Sequence, residues 1–130
     1  MIREANEEAS IPYDLSRREL KACSTISYYL VFDADLTPAS CPHIFYTYEL
    51  ELPEDCVPKP NDGEVELFVS MSQEEVWQAL FEDDFKPIVA VQWLAHFYRH
   101  GIMTPENEKN FVEIIARLHR EHDLFVAEEL

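Results

Sequence analysis

Glycine is almost missing from this chain: Gly63 and Gly101 are the only two among 130 residues. Phosphate cradles of the P-loop or G-x-G-x-x-G kind need several glycines at fixed spacing, so both are excluded. No G-x-S-x-G elbow presents a serine nucleophile. Cysteine is scarce as well. Cys23, Cys41 and Cys56 are odd in number and form no C-x-x-C pair, which argues against a disulfide framework or a cysteine zinc site. Reduced thiols in the cytoplasm are the simpler expectation. Positive charge is also short, with 10 Lys and Arg against 26 Asp and Glu and a formal net charge of −16. Phosphate backbones and anionic lipid surfaces repel such a chain, so neither nucleic acid nor membrane is an expected partner. No apolar run approaches the roughly 18 residues of a membrane span. The N-terminus lacks the basic and apolar regions of a signal peptide, and no internal repeat or low-complexity tract is present.

What remains is enough for a core. Hydrophobic residues make up 47% of the chain, with two Trp, six Tyr and eight Phe. The length fits one domain spanning residues 1–130. Residues 2–9 read as a helix that Pro12 ends, because the residue before a proline is pushed out of helical geometry. Asp14 to Lys21 reads as a short helix or turn. Cys23 to Phe32 is a strand by its β-branched and aromatic content. Asp33 to Pro42 is a connection. Ile44 to Leu52 alternates strictly, Ile44, Tyr46, Tyr48, Leu50 and Leu52 against Phe45, Thr47, Glu49 and Glu51, and predicts a second strand. Pro53 to Asp62 is a loop. Glu64 to Ser70 alternates again and predicts a third strand. Ser72-Gln73-Glu74-Glu75 is a capping box that opens a helix near Gln73. Pro87 at a first turn and Gly101 just past the end bracket another. Thr104 to Arg120 predicts a last helix with Phe111, Ile114, Ile115 and Leu118 on one face, and the tail from His122 is expected to fray. Strands followed by helices make the class α+β.

Chemistry centres on Arg3-Glu4-Ala5-Asn6-Glu7-Glu8. In a helix, positions three and four apart share a face, so Glu4, Glu7 and Glu8 stack within one turn and Arg3 can pair with Glu7. Carboxylates this close repel unless a cation sits among them, and hard oxygen donors suit Mg²⁺ or Mn²⁺. A solvated acidic helix start, favoured by the helix dipole, accounts for the same spacing.

The residue order favours the first reading. Arg3-Glu4-x-x-Glu7-Glu8 resembles the second half of the Nudix box, G-x5-E-x7-R-E-U-x-E-E-x-G-U. Ala5 stands at the first U, Ser10 at the closing glycine and Ile11 at the last U. Further segments recur in order: Glu7-Glu8-Ala9-Ser10-Ile11-Pro12, Ile26-Ser27-Tyr28, Glu51-Leu52-Pro53, the run from Pro60-Asn61-Asp62-Gly63 to Glu66, Arg99-His100-Gly101 and Thr104-Pro105-Glu106-Asn107. Together they look like the Nudix proteins fused or related to thiamine pyrophosphokinases, over about residues 2 to 120.

That resemblance implies an α/β/α sandwich with a mixed sheet, Mg²⁺ or Mn²⁺ as cofactor, and hydrolysis of a diphosphate bond. Thiamine diphosphate or its oxidised analogues are the implied small-molecule substrates. It makes Glu7 and Glu8 metal ligands and Glu4 a further ligand or the catalytic base. The glycine and first glutamate of the box fall before Met1, as do the strands that precede the box in this fold. The resemblance therefore implies an N-terminally truncated domain, the C-terminal portion of a Nudix domain, which leaves a sheet edge open to association. An inactive remnant acting as an acidic protein-interaction domain is the alternative.

Other residues carry weaker signals. Glu64 and Glu66 alternate to one side of their stretch, either as a polar edge or, for Glu64 beside the Asn61-Asp62-Gly63 turn, as one more metal ligand. Tyr28 and Tyr46 either line a pocket for a heteroaromatic ring or pack across strands. No His-x-x-x-His pair is read among the histidines; His96 reads as a packing or surface residue, and His100 as a cation suited to a helix C-terminus.

Overall fold

The computed structural model describes residues 1–32 and 39–121, with side chains described for 1–29 and 41–121. Most of the connection expected over Asp33 to Pro42, and the tail from His122, lie outside the described residues. The chain forms two compact units, Met1–Cys23 with Tyr48–Val76, and Ser24–Thr47 with Trp77–Leu130.

The first unit is built on α1 (Ile2–Ala9) and α2 (Tyr13–Glu19). Ala9, Ile11 and Leu15 are buried together, with Ala5, Leu50, Leu52 and Cys56 packed against them. The spacing of Ala5 and Ala9 puts both on one face of α1, which leaves the intervening glutamates for the other. Leu50 and Leu52 were expected to continue a strand; they leave it and serve this small core instead.

The third strand expected over Glu64 to Ser70 does not form. Its alternation is real, but Leu67 and Val69 are 59% and 69% exposed, so no buried face selects the extended register. At its start the Asp62 carboxylate accepts the Glu64 N–H at 3.0 Å, a local turn bond that competes with ladder formation. The capping box that follows is made as expected. Ser72 N–H donates to Glu75 Oε2 at 2.6 Å and Glu75 N–H to Ser72 Oγ at 3.2 Å, opening α3 (Gln73–Phe81). The Ser72 amide above all, and then the Ser72 hydroxyl, hold the Glu75 carboxyl below its ordinary pKa.

In the second unit β1 (Lys21–Phe32) and β2 (Ala39–Glu49) form a two-stranded antiparallel sheet. β2 starts and ends earlier than its alternation implied. Its outward residues are Ile44, Tyr46 and Tyr48, while Phe45 and Thr47 are half-buried. The Thr47 hydroxyl accepts the Ser24 N–H at 3.2 Å and donates to the Ser24 carbonyl at 2.9 Å. Tyr28 stacks on His43 and Phe45 with centroids 5.7 and 5.5 Å away. The face carrying these residues meets the helices: Ile26, Ala95 and Leu118 are buried together, with Val91, Leu94, Ile114 and Ile115 against them.

α4 (Pro87–Arg99) begins with proline in its first turn and stops at Gly101, whose φ of +66° suits a residue without Cβ. The last helix is shorter than its pattern implied: α5 covers only Phe111–Leu118. Thr104 starts one helical turn, with Asn107 and Glu108 N–H groups donating to its carbonyl. Side chains then stop it. Asn107 accepts the Thr104 N–H and donates to the Ile102 carbonyl, at 2.8 and 2.7 Å, and Glu108 Oε1 accepts the Asn110 N–H at 2.8 Å. Beyond α5 the chain bridges Ser27 to His119 in parallel along β1. Helices with one small antiparallel sheet make an α+β arrangement.

Leu118 is 2% exposed and Val112, on the same helix, is 79% exposed. Leu118→Ala is expected to cost about 2–5 kcal/mol in urea melts, and Val112→Ala within about 0.5 kcal/mol. Equal costs would contradict this packing, and a larger cost for Val112→Ala would place α5 the other way round.

Candidate metal centre

The acidic face of α1 depends on how the helix ends. Ser10 adopts a left-handed conformation, φ 56° and ψ 26°, and its N–H donates to the Asn6 carbonyl at 3.0 Å while Ile11 N–H reaches the Ala5 carbonyl at 3.1 Å. Left-handed backbone is where helix ends usually place glycine, and a side chain there is strained. The reversal drops Ile11 into the core, 7% exposed, and leaves Glu4, Glu7 and Glu8 reachable by solvent.

Arg3 gathers two of these carboxylates. Its guanidinium lies 3.2 Å from Glu4 Oε1 and 3.4 Å from Glu7 Oε2. Its own pKa is raised, first by the hydrogen bond to Glu4 and then by the charges of Glu7 and Glu4. Glu8 stands on the same short helix, half-buried.

The end of α1 also pins the loop that follows the prolines. Lys59 N–H donates to the Ala9 carbonyl at 3.0 Å, and Ser10 Oγ to the Lys59 carbonyl at 3.1 Å. Asn61 Nδ2 reaches the Asn6 carbonyl at 3.4 Å, and Asn6 Nδ2 donates to the Ile11 carbonyl at 3.0 Å. The Asn61-Asp62-Gly63 turn is thereby tied to the helix that bears Glu7 and Glu8, with Gly63 at φ +86°. Glu64 follows directly, exposed, its N–H held by Asp62. Glu66 is exposed too. The donors this arrangement offers are all oxygens and all reachable by water, a set that fits a hard divalent ion.

Tyr28 and Tyr46 project from opposite faces of the hairpin and do not line one pocket. Tyr28 packs against His43 and Phe45, and partial burial raises its pKa. Tyr46 is 71% exposed.

Sequence reasoning missed one pair. Taken singly, His96 and His100 read as packing and helix-end residues. Their spacing of four on α4 is the signal that joins them, and their ring centroids are 4.4 Å apart.

No family model matches the chain. It is similar to an uncharacterized protein of Saccharomyces cerevisiae, 39% identical over 127 residues, covering 92% of this chain and 37% of that protein. It is also similar to two Arabidopsis thaliana proteins, Nudix hydrolase 20, chloroplastic, and Nudix hydrolase 24, chloroplastic. Each is 30% identical, over 123 and 122 residues, covering 91% of this chain and 30% and 31% of the relatives. The chain spans about a third of the length of the curated relatives it matches. Its distant relatives thus include Nudix hydrolases. Among the described residues no helix is long and apolar enough to cross a membrane.

The left-handed Ser10 sets an order of stabilities. Ser10→Gly is expected to be the most stable of three variants, because it relieves the backbone. Ser10→Ala should lose the bond to Lys59, about 0.5–1.5 kcal/mol, and Ser10→Val should fall further, since a branched side chain suits a left-handed residue least. Chemical melts that rank Val level with Gly would remove the strained cap.

Proposed function

We propose that the chain is the metal-binding portion of a Nudix-type hydrolase that cleaves a diphosphate bond, with thiamine diphosphate or an oxidised analogue as substrate. One observation carries the reading. The helix of Arg3, Glu4, Glu7 and Glu8 ends in a left-handed residue, Ser10, at the position where the Nudix box has glycine. The two apolar box positions, Ala5 and Ile11, both turn into the core, as the box pattern requires. The relatives named Nudix hydrolases add support at the level of sequence.

In this reading Glu7 and Glu8 hold Mg²⁺ or Mn²⁺, with Glu64 as one more ligand from the tethered turn. A bound divalent ion supplies neutralisation of the diphosphate oxygens and a more acidic water. Glu4 either completes the ligand set or takes the proton of the attacking water. Arg3, held between Glu4 and Glu7, keeps the two carboxylates on one side of the helix. Of the two tyrosines, only Tyr46, 71% exposed, has a ring face open to the heteroaromatic part of a substrate. The α/β/α sandwich and a cytoplasmic location belong to the same proposal.

A second reading rests on the exposed apolar residues Val57, Leu67, Phe68, Val69 and Met71. Unpaired strand-like segments template association, and β2 has no ladder partner on its outer side among the described residues. An acidic interaction domain that is catalytically inactive would use these surfaces. In that case sizing chromatography should give an apparent mass that rises with concentration; a concentration-independent monomer with a single cooperative melt counts against it.

The hydrolase reading is tested with Mn²⁺ binding and phosphate release from a panel of diphosphates that includes thiamine diphosphate. Glu7→Gln and Glu8→Gln are each expected to weaken Mn²⁺ binding about tenfold or more and to abolish release. Variants that bind Mn²⁺ like the parent, together with no release from any diphosphate offered, would leave the interaction domain as the better account.

A further inference from the structure

His96 lies in the last turn of α4 and His100, four residues on, is the residue that caps it. Their ring centroids are 4.4 Å apart and their coordinating nitrogens come within 4.8 Å of each other. The turn that carries them is held firmly. His100 N–H donates to the His96 carbonyl at 3.0 Å and Gly101 N–H to the Tyr98 carbonyl at 3.1 Å. Ile102 and Met103 N–H groups both reach the Phe97 carbonyl, at 2.9 and 3.1 Å. Phe97, between the histidines in sequence, is 1% exposed and anchors the turn in the core beside Trp77 and Trp93.

Two imidazoles preset on a capped turn need little ordering to act together. Ligands in adjacent positions of a tetrahedral ion, with bonds of about 2.0–2.1 Å, stand roughly 3.3 Å apart. His96 is half-buried and His100 exposed, so water can complete the shell from the His100 side. The positive charge of an ion also matches the negative end of the helix dipole.

We propose that His96 and His100 chelate a borderline divalent transition ion, Zn²⁺ in type. Its chemistry is separate from that of the carboxylate face of α1. Imidazole nitrogen selects Zn²⁺, Ni²⁺ or Cu²⁺ over Mg²⁺, whereas carboxylate oxygen suits Mg²⁺ and Mn²⁺. The two sites therefore differ in the ion they take as well as in their residues.

Trp93 provides a reporter, since its ring meets His96 edge-on with centroids 5.6 Å apart at 87°. The full chain is titrated with Ni²⁺ while tryptophan emission is followed, and Zn²⁺ or Mg²⁺ is then added. Saturable one-to-one quenching, reversed by Zn²⁺ and untouched by excess Mg²⁺, is expected. His96→Gln and His100→Gln should each weaken it about tenfold or more. Trp93→Phe should remove the signal while Zn²⁺ heat remains in calorimetry. His100 is exposed, so a melt of His100→Gln matching the parent keeps the comparison sound. Unchanged binding in His100→Gln overturns the proposal. So does displacement by Mg²⁺, or loss of binding when Cys23, Cys41 and Cys56 are replaced by serine.

Discussion

The left-handed turn at Ser10 is the constraint on which the first unit depends. It ends α1 one residue after Ala9, and from there three things follow. The backbone reverses so that Ile11 joins Ala9 and Leu15 in the core. The Ala9 and Asn6 carbonyls accept from Lys59 N–H and Asn61 Nδ2 of the distant loop, and the Ser10 hydroxyl donates to the Lys59 carbonyl. The carboxylates of Glu4, Glu7 and Glu8 keep the opposite, solvated face. A helix of eight residues would be marginal by itself. Here its end is fastened by a buried side chain and by bonds to a loop some fifty residues on, so tertiary contacts supply what local propensity cannot.

The second unit depends on a different contact. Ile26 on β1 is fully buried against Ala95 of α4 and Leu118 of α5. A small residue at position 95 lets helix and sheet approach closely, and Phe97 fills the space beside it with Trp77 and Trp93. The same packing fixes the turn that carries His96 and His100. In both units a packed helix carries candidate ligands, Glu4, Glu7 and Glu8 on α1 and His96 on α4, while Glu64 stands in an exposed turn.

Features set by short-range chemistry were legible in the sequence. The capping box at Ser72 to Glu75, proline opening α4 and Gly101 closing it each depend on a few neighbouring residues, and each stands as read. The pairing of Arg3 with Glu7 was legible for the same reason. Features that needed a partner were not. Glu64 to Ser70 alternates like a strand, but alternation cannot say whether an edge exists to pair with, and Asp62 turns the chain first. Thr104-Pro105-Glu106 has the residues of a helix start, yet Asn107 and Glu108 spend their side chains on the backbone and end the turn. Leu50 and Leu52 kept a strand's period while serving another core. Tyr28 and Tyr46 shared a pocket only while their faces were unknown; their strands place them on opposite sides. His96 and His100 were visible as a spacing of four, a signal lost when each histidine is weighed singly.

The central proposal is that α1 and the turn tied to it hold one divalent ion between them. Paramagnetic broadening of backbone amides by substoichiometric Mn²⁺ tests it most directly, because broadening falls steeply with distance and maps the site without requiring turnover. The account predicts that amides around Glu7, Glu8 and Asn61 to Glu64 broaden together and that those of α5 stay sharp. Broadening scattered over the acidic surface, or confined to residues outside α1 and that turn, would contradict it.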